Sequence, residues 1–190
     1  YSFVMSKQIL SQKIKKVIAG PKKIQHCIEK IAQKILKTHP FLDKVGLIGI
    51  QTGGTPLTIR LQKIFKDIAK VELPVGYLDI TLYRDDWTRI ASQPEVKKTD
   101  IPFSIEDMNI ILVDDVIYTG RTVRAAMDAL IDLGRPKKIE LAVLVDRGGR
   151  ELPIEPTYVG LKVKKIDINE YVSVYFKEIH GKDQVCLETY

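Results

Sequence analysis

The most informative stretch of this sequence joins two adjacent carboxylates to a short polar turn. Four apolar residues, 110–113, lead directly into Asp114 and Asp115, and a Thr-Gly-Arg-Thr turn follows at residues 119–122. A continuous apolar run is typical of a buried parallel strand, and open α/β sheets bind ligands beyond the carboxyl ends of such strands. The acidic pair is therefore predicted to lie in a ligand-binding crevice.

The groups in this stretch have the chemistry that binds a phosphorylated sugar. Backbone amides at a helix N-terminus are unpaired and carry partial positive charge, so they attract phosphate. Asp114 and Asp115 supply only acceptors, which suit sugar hydroxyls or a hydrated divalent cation. The alternative is a strand end followed by a threonine helix cap. That alternative leaves the repulsion and lost solvation of the acidic pair uncompensated, and we favour the binding site.

The elements that must position these residues predict a parallel α/β sheet. Helices are predicted over residues 21–38, 56–66 and 122–133, and strands over residues 45–50, 73–83, 110–113 and 139–145. The alternating order implies right-handed crossovers between parallel strands. Short strands, some of them antiparallel, are predicted at residues 158–159, 171–176 and 185–189. We expect a single domain over residues 1–190, with a leader or added extension at 1–17 and a flexible loop at 84–102.

Composition and spacing argue against several other classes of protein. The 190 residues carry a net charge of +6, which fits a nucleic-acid binder, a polyanionic substrate, or neither. No apolar run reaches the roughly 18 residues that span a membrane, and neither of two common phosphate motifs, the P-loop and the dinucleotide fingerprint, occurs. Cys27 and Cys186 lie far apart, which favours a reducing cytoplasm. His26, His39 and His180 lack zinc-ligand spacing.

The acidic pair and its turn strongly resemble the phosphoribosyl-diphosphate loop of type I phosphoribosyltransferases. The continuation 123–130, the upstream segment 79–86 and the downstream segment 144–153 are similar to pyrimidine operon attenuation regulators that double as uracil phosphoribosyltransferases. The resemblance covers residues 21–160. It implies the type I phosphoribosyltransferase fold, a mostly parallel central sheet flanked by helices, with a flexible lid loop and small C-terminal strands.

This resemblance implies a reaction in which uracil and 5-phosphoribosyl 1-diphosphate give UMP and pyrophosphate. It implies a catalytic role for Asp115, Asp114 and Arg84, with the two aspartates holding ribose hydroxyls or Mg²⁺ through water. Their charge would stabilise the positive charge that develops on the ribose as pyrophosphate leaves. The residues implied to bind phosphoribosyl diphosphate or UMP are Val113, Asp114, Asp115, Val116, Ile117, Tyr118, Thr119, Gly120, Arg121 and Thr122.

The resemblance assigns three further parts of the site. The pyrophosphate loop is Gln51, Thr52, Gly53 and Gly54, the lid includes Arg84, Asp85 and Asp86, and the base pocket includes Val145, Asp146 and Arg147. The best-known family members carry basic residues at positions 51 and 53, where this chain has uncharged ones. Diphosphate binding here would then depend more on Mg²⁺.

A regulatory role is implied as well, through binding of pyrimidine-operon leader RNA in response to UMP, and so is a homo-oligomer, a dimer or tetramer. At positions where regulators often have Thr, His and Arg, this chain has Glu29, Gln33 and Thr38, and Glu29 would repel phosphate. The possible RNA contacts that remain are Lys30, Arg150, Lys162, Lys164 and Lys165. Two alternatives stay open: a regulator with little or no catalysis, and a phosphoribosyltransferase for a purine base.

Overall fold

A computed structural model describes residues 15–85, 98–163 and 166–189 of the chain. The strands are β1 (Lys15–Ala19), β2 (Val45–Ile50), β3 (Val75–Leu78), β4 (Asn109–Ile117), β5 (Lys138–Asp146), β6 (Tyr158–Lys162), β7 (Glu170–Tyr175) and β8 (Gln184–Thr189). The helices are α1 (Pro21–Thr38), α2 (Gly54–Ala69), α3 (Arg121–Leu133) and α4 (Lys177–His180), and Thr81–Tyr83 forms a 3-10 turn. Among the described residues, no helix is long and apolar enough to cross a membrane.

The main sheet has the strand order β3-β2-β4-β5-β6, and every neighbouring pair in it is parallel. The chain leaves β2 for β3 on one side and then returns to place β4 on the other side. The order therefore reverses between β2 and β4, and the crevice beyond such a reversal is where open parallel sheets bind ligands. The predicted fold class is confirmed.

Helices cover both faces of this sheet, because its strands are apolar on both sides. Buried isoleucines of α1 and leucines of α2 share one core with Leu47, Ile111 and Val113. Helix α3 contributes Val123 and Leu130 to a second core on the opposite face. The buried residues of α1 recur at helical spacing, which places them on the one face that packs against the sheet.

A second, antiparallel sheet has the order β1-β8-β7. Strand β1 pairs with β8 near the other end of the chain, so its partner could not be inferred from local sequence. Residues 15–17 of the extension expected over residues 1–17 lie in β1, and residues 1–14 lie outside the described part of the chain. The short helix α4 between β7 and β8 was also not predicted.

Three predicted boundaries differ from the structure. The strand predicted over 73–83 is only β3, because the Asp79 carboxylate accepts hydrogen bonds from the Thr81 amide at 3.0 Å and hydroxyl at 2.6 Å, favouring the 3-10 turn. Helix α2 begins at Gly54 and not at Pro56. Strand β4 runs on to Ile117 and so contains the acidic pair, which had been expected just after the strand.

Candidate active site

Asp114 and Asp115 lie near the carboxyl end of β4, beside the reversal in strand order. The Asp115 amide donates to the Asp114 carboxylate at 3.0 Å, and the Val116 amide donates to the Asp115 carboxylate at 2.7 Å. Backbone groups thus hold both carboxylates in place. Asp114 is buried and Asp115 is partly buried.

The side-chain alternation of β4 shifts by one residue at this pair. Ile110 and Ile117 belong to the same core although they are an odd number of positions apart, and Val113 and Val116 both pack with the other core. Strict alternation places residues at odd spacing on opposite faces. The shift lies between Val113 and Val116, so the two neighbouring carboxylates are not forced to opposite faces.

The electrostatics of the pair favour a bound cation. Burial is the largest effect on Asp114 and raises its pKa well above the ordinary value, and the neighbouring charge of Asp115 raises the pKa further. Burial also raises the pKa of Asp115, while its hydrogen bond from Val116 acts in the opposite direction. Two carboxylates that repel each other in a poorly solvated position are stabilised by a positive group between them.

The turn after β4 forms a cradle at the start of α3, and backbone amides at the start of a helix attract anions. Gly120 precedes the helix with φ 93°, a conformation that favours glycine. The Thr119 carbonyl accepts from the Glu151 amide at 3.0 Å and the Leu152 amide at 3.1 Å, which fixes the turn. The cavity here has a volume of about 720 Å³. It is lined by Arg84, Asp85, Val116, Ile117, Tyr118, Thr119, Gly120, Arg121, Thr122, Val123 and Glu151.

Two arginines stand at this cavity in different environments. Arg121 forms ion pairs with Asp85 at 2.5 Å and with Glu151 at 2.7 Å, so its charge is compensated within the protein. Arg84 donates to the Thr122 hydroxyl at 3.2 Å, and its charge lowers the pKa of Asp114. The predicted lid residues Arg84 and Asp85 therefore lie at the cavity, whereas Asp86 lies outside the described residues.

The predicted pyrophosphate loop packs directly against the acidic pair. A Cβ atom on Gly53 would lie 2.4 Å from the Asp115 carboxylate, and one on Gly54 would lie 2.2 Å from the Val113 carbonyl oxygen. Gly54 therefore requires glycine, because a Cβ atom there would meet backbone, whereas a Cβ atom on Gly53 would have to displace the Asp115 side chain. The Gln51 amide donates to the Leu78 carbonyl at 2.9 Å, and the Gln51 side chain donates to the Lys98 carbonyl at 2.9 Å.

The fold and the cleft described above occur in a known protein family. A sequence profile of the phosphoribosyl transferase domain matches residues 14–178. The chain belongs to the phosphoribosyltransferase family.

Curated relatives narrow the assignment to one branch of phosphoribosyltransferases. The chain is 51% identical over 164 residues to a Pelotomaculum thermopropionicum protein, covering 86% of this chain and 90% of that protein. It is 47% identical over 173 residues to a Syntrophobacter fumaroxidans protein, covering 91% and 92%. Both relatives carry the name bifunctional protein PyrR. The chain is a phosphoribosyltransferase of the PyrR type.

Solved structures confirm the phosphoribosyltransferase fold at much lower identity. A hypoxanthine phosphoribosyltransferase of Trypanosoma cruzi superposes with a TM-score of 0.70 at 18% identity, covering 92% of this chain and 91% of that one. A hypoxanthine phosphoribosyltransferase of Staphylococcus aureus gives 0.66 at 20% identity, covering 90% of each chain. At these identities the likeness concerns the fold alone.

The predicted base pocket of this phosphoribosyltransferase is a tightly bonded loop after β5. The Asp146 carboxylate accepts from the Gly148 amide at 2.9 Å and from Arg150 at 2.8 Å. The Arg147 guanidinium lies over the Tyr118 ring, 3.6 Å from its centroid, and donates to the Glu170 carbonyl at 2.6 Å. These charged groups hold the loop together, and their contact with a base stays a prediction.

Two predicted site residues, Val113 and Val145, have no exposed side chain. The side chains of Val113 and Val145 are fully buried in the apolar core, so only their backbone groups are available to a substrate. Sequence reasoning also missed Glu151, which lines the cavity through its ion pair with Arg121. No spacing rule would have found it, because a long loop brings it to the site.

The structure describes three of the five predicted RNA contacts of this PyrR-type protein. Lys30 and Lys162 are exposed. Arg150 is not available, because its guanidinium is largely buried and bonds to Asp146, the Tyr118 carbonyl and the Ile154 carbonyl. Its position therefore argues against an RNA contact, which stays a prediction. The remaining two candidates, Lys164 and Lys165, lie outside the described residues.

Proposed function

We propose that this protein transfers the phosphoribosyl group of 5-phosphoribosyl 1-diphosphate to uracil, giving UMP and pyrophosphate. The observation that carries the proposal is the contact of Gly53 with Asp115, which joins the glycine loop after β2 to the acidic strand β4. Together with the cradle at Gly120, this contact brings sites for diphosphate, ribose and 5-phosphate into one cleft. The PyrR-type relatives support uracil as the base.

The first step is binding of the sugar phosphate. The backbone amides at the start of α3 and the hydroxyls of Thr119 and Thr122 receive the 5-phosphate, since a helix N-terminus attracts anions. The diphosphate lies along the Gln51–Gly54 turn, where the absence of side chains on two glycines lets the backbone approach it closely. The ribose then lies over Asp114 and Asp115.

The second step is departure of pyrophosphate, which leaves positive charge on the ribose ring. The ionised carboxylates of Asp114 and Asp115 face that charge from a poorly solvated position, where electrostatic stabilisation is strong. We infer that Asp115 contributes most, since it touches the glycine loop as well. Before substrate binds, the positive charge of Arg84 offsets the negative charge of Asp114.

We propose Mg²⁺ as the cofactor. Asp114 and Asp115 offer oxygen ligands, and burial raises the pKa of both carboxyl groups, a shift that a bound cation would oppose. The described residues contain no group of three or more histidine, cysteine or acidic side chains that could hold a metal. A cation held by two carboxylates and by substrate phosphates is the arrangement Mg²⁺ favours.

We also propose a UMP-responsive regulatory role in binding pyrimidine-operon leader RNA, in a cytoplasmic homo-oligomer. The bifunctional name of the relatives and the exposed Lys30 and Lys162 support RNA binding. Glu29 and Gln33 are also exposed and offer no positive charge on α1. RNA gel shifts with and without UMP, over a salt series, test this role, and light scattering tests the assembly.

The reaction is tested by measuring pyrophosphate release with Mg²⁺ and each of four bases, uracil, hypoxanthine, guanine and orotate. We expect turnover with uracil that stops when the metal is chelated. Turnover with hypoxanthine or guanine but not with uracil would show that the substrate is a purine base. Absence of turnover with all four bases, together with UMP-dependent RNA binding, would instead make the protein a regulator without catalysis.

A further inference from the structure

We propose that His180 donates a hydrogen bond to the diphosphate of 5-phosphoribosyl 1-diphosphate, in a site whose glycine loop offers no basic side chain. The inference rests on the proposed function, since it concerns the same cleft. It assigns a substrate-binding role to the end of α4, in the small antiparallel sheet.

Helix α4 lies beside the pyrophosphate loop. Glu178 and Ile179 line a cavity of about 320 Å³ together with Gln51 and Thr52. His180 follows directly and is exposed. The two residues that precede His180 therefore lie against the loop that would hold the diphosphate.

Arg60 fastens this part of the small sheet to α2. Its guanidinium donates to both carboxylate oxygens of Glu178, at 2.6 and 2.8 Å, and to both of Asp183, at 2.7 and 3.1 Å. It also stacks 5.1 Å from the Phe176 ring centroid. Bidentate pairs of this kind fix geometry, and α2 itself begins at Gly54 in the pyrophosphate loop. His180 lies between Glu178 and Asp183 and shares their fixed position.

The hydrogen bonding of His180 leaves Nε2 as its donor atom. The Phe176 amide donates to its Nδ1 at 3.2 Å, and the Tyr175 ring packs edge-on at 5.2 Å between centroids. A neutral imidazole that accepts at Nδ1 carries its hydrogen on Nε2. An exposed Nε2–H group is a hydrogen-bond donor suited to a phosphate oxygen.

His180 is also close to the acidic pair. A positive charge on its imidazole would lower the pKa of Asp115, whose carboxylate touches Gly53. Asp115 therefore has both the imidazole and the glycine loop as neighbours. Positions 51 and 53 carry no basic side chain, so the Nε2–H group of the nearby imidazole is a donor that can take their place.

Two substitutions separate substrate binding from a structural role. His180→Gln keeps a donor near the position of Nε2 and loses the Nδ1 acceptor, whereas His180→Asn keeps an acceptor near Nδ1 and loses the distal donor. We expect H180N to raise the KM for phosphoribosyl diphosphate and the Kd for magnesium pyrophosphate about tenfold, the loss expected for one hydrogen bond to a charged group. We expect H180Q to stay within about twofold of the native protein in both.

Calorimetric titration with magnesium pyrophosphate gives the Kd, and UMP formation gives KM values for both substrates. His26→Asn, which changes an exposed histidine on α1, is the matched control. In proton NMR of the native protein, pyrophosphate should shift the ring signal of His180 and not that of His26. This test does not depend on the folding of any variant. A preserved Kd in H180N, a larger loss in H180Q, or an unshifted His180 signal would overturn the inference. A native protein that makes no UMP would instead overturn the proposed function.

Discussion

The guanidinium of Arg150 lies 2.8 Å from the carboxylate of Asp146, at the loop that follows β5. Both side chains are largely buried, with exposed fractions of 13% and 9%. The same arginine bonds to the Tyr118 carbonyl at 3.1 Å, which ties the proposed base pocket to the phosphate cradle. Arg150 is therefore an internal connection between two parts of the cleft.

The change Arg150→Gln should destabilise the protein by about 3 kcal/mol, because it leaves the Asp146 carboxylate buried without its partner. It should also raise the KM for uracil, since the loop loses its fixed shape. Urea unfolding and steady-state kinetics measure the two effects. Lys162→Gln, at an exposed lysine, is the control and should leave both unchanged. Native-like stability of R150Q would show that the ion pair does not hold the loop.

The change Asp115→Asn should reduce the turnover number by about 10²–10³, the loss typical of removing one electrostatic stabiliser. The side chain keeps its size and the fold should persist, which circular dichroism can check. Asp43→Asn is the control. It removes an exposed carboxylate that precedes β2 in the chain, and this variant should turn over normally. Equal losses in both variants would contradict a specific role for Asp115.

The change Gly53→Ala should lower turnover, because the new Cβ atom would lie 2.4 Å from the Asp115 carboxylate and must displace it or the loop. Binding of phosphoribosyl diphosphate, measured by calorimetry, should weaken in parallel. Gly20→Ala is the matched control, since a Cβ atom there meets nothing within 4 Å. Full activity of G53A would mean that the loop does not need its close approach to Asp115.

A buried carboxylate at the other end of the sheet predicts a pH-dependent stability. Burial alone would raise the pKa of Glu140, but hydrogen bonds from Lys138 and His39, at 2.6 and 2.5 Å, outweigh it and hold the pKa below the ordinary 4.5. A lowered pKa in the folded state stabilises the protein above pH 4.5, and this stabilisation is lost as pH falls through the folded pKa.

The variant Glu140→Gln should therefore be less stable than the native protein by about 2 kcal/mol at pH 7, the range for hydrogen bonds to a charged group. The difference should shrink as the pH falls below 4.5, when the native carboxyl becomes protonated. Urea midpoints at several pH values measure it. A difference that stays constant from pH 7 into the acid range would show that the charge of Glu140 is not responsible.

The sequence predicted the main sheet well because its signals are local. Apolar runs marked the buried strands, amphipathic spacing marked α1 and α3, and the Asp114–Asp115 pair pointed to the cleft. Features that depend on distant partners were not predictable in this way. Strand β1 forms by pairing with β8, and Arg150 is buried because a loop folds it onto Asp146. A charged residue in a lysine- and arginine-rich chain gives no local sign of such burial.

The one-residue shift in side-chain alternation at Asp114 and Asp115 limits how this protein can be engineered. Redesign of β4 as a regular strand would point one of the two acidic side chains into the apolar core, where it could not contact a sugar. Such a redesign would make the backbone of β4 more regular and would still remove part of the site. Thermostabilisation of this scaffold should consequently leave that imperfection untouched and work on the outer helices.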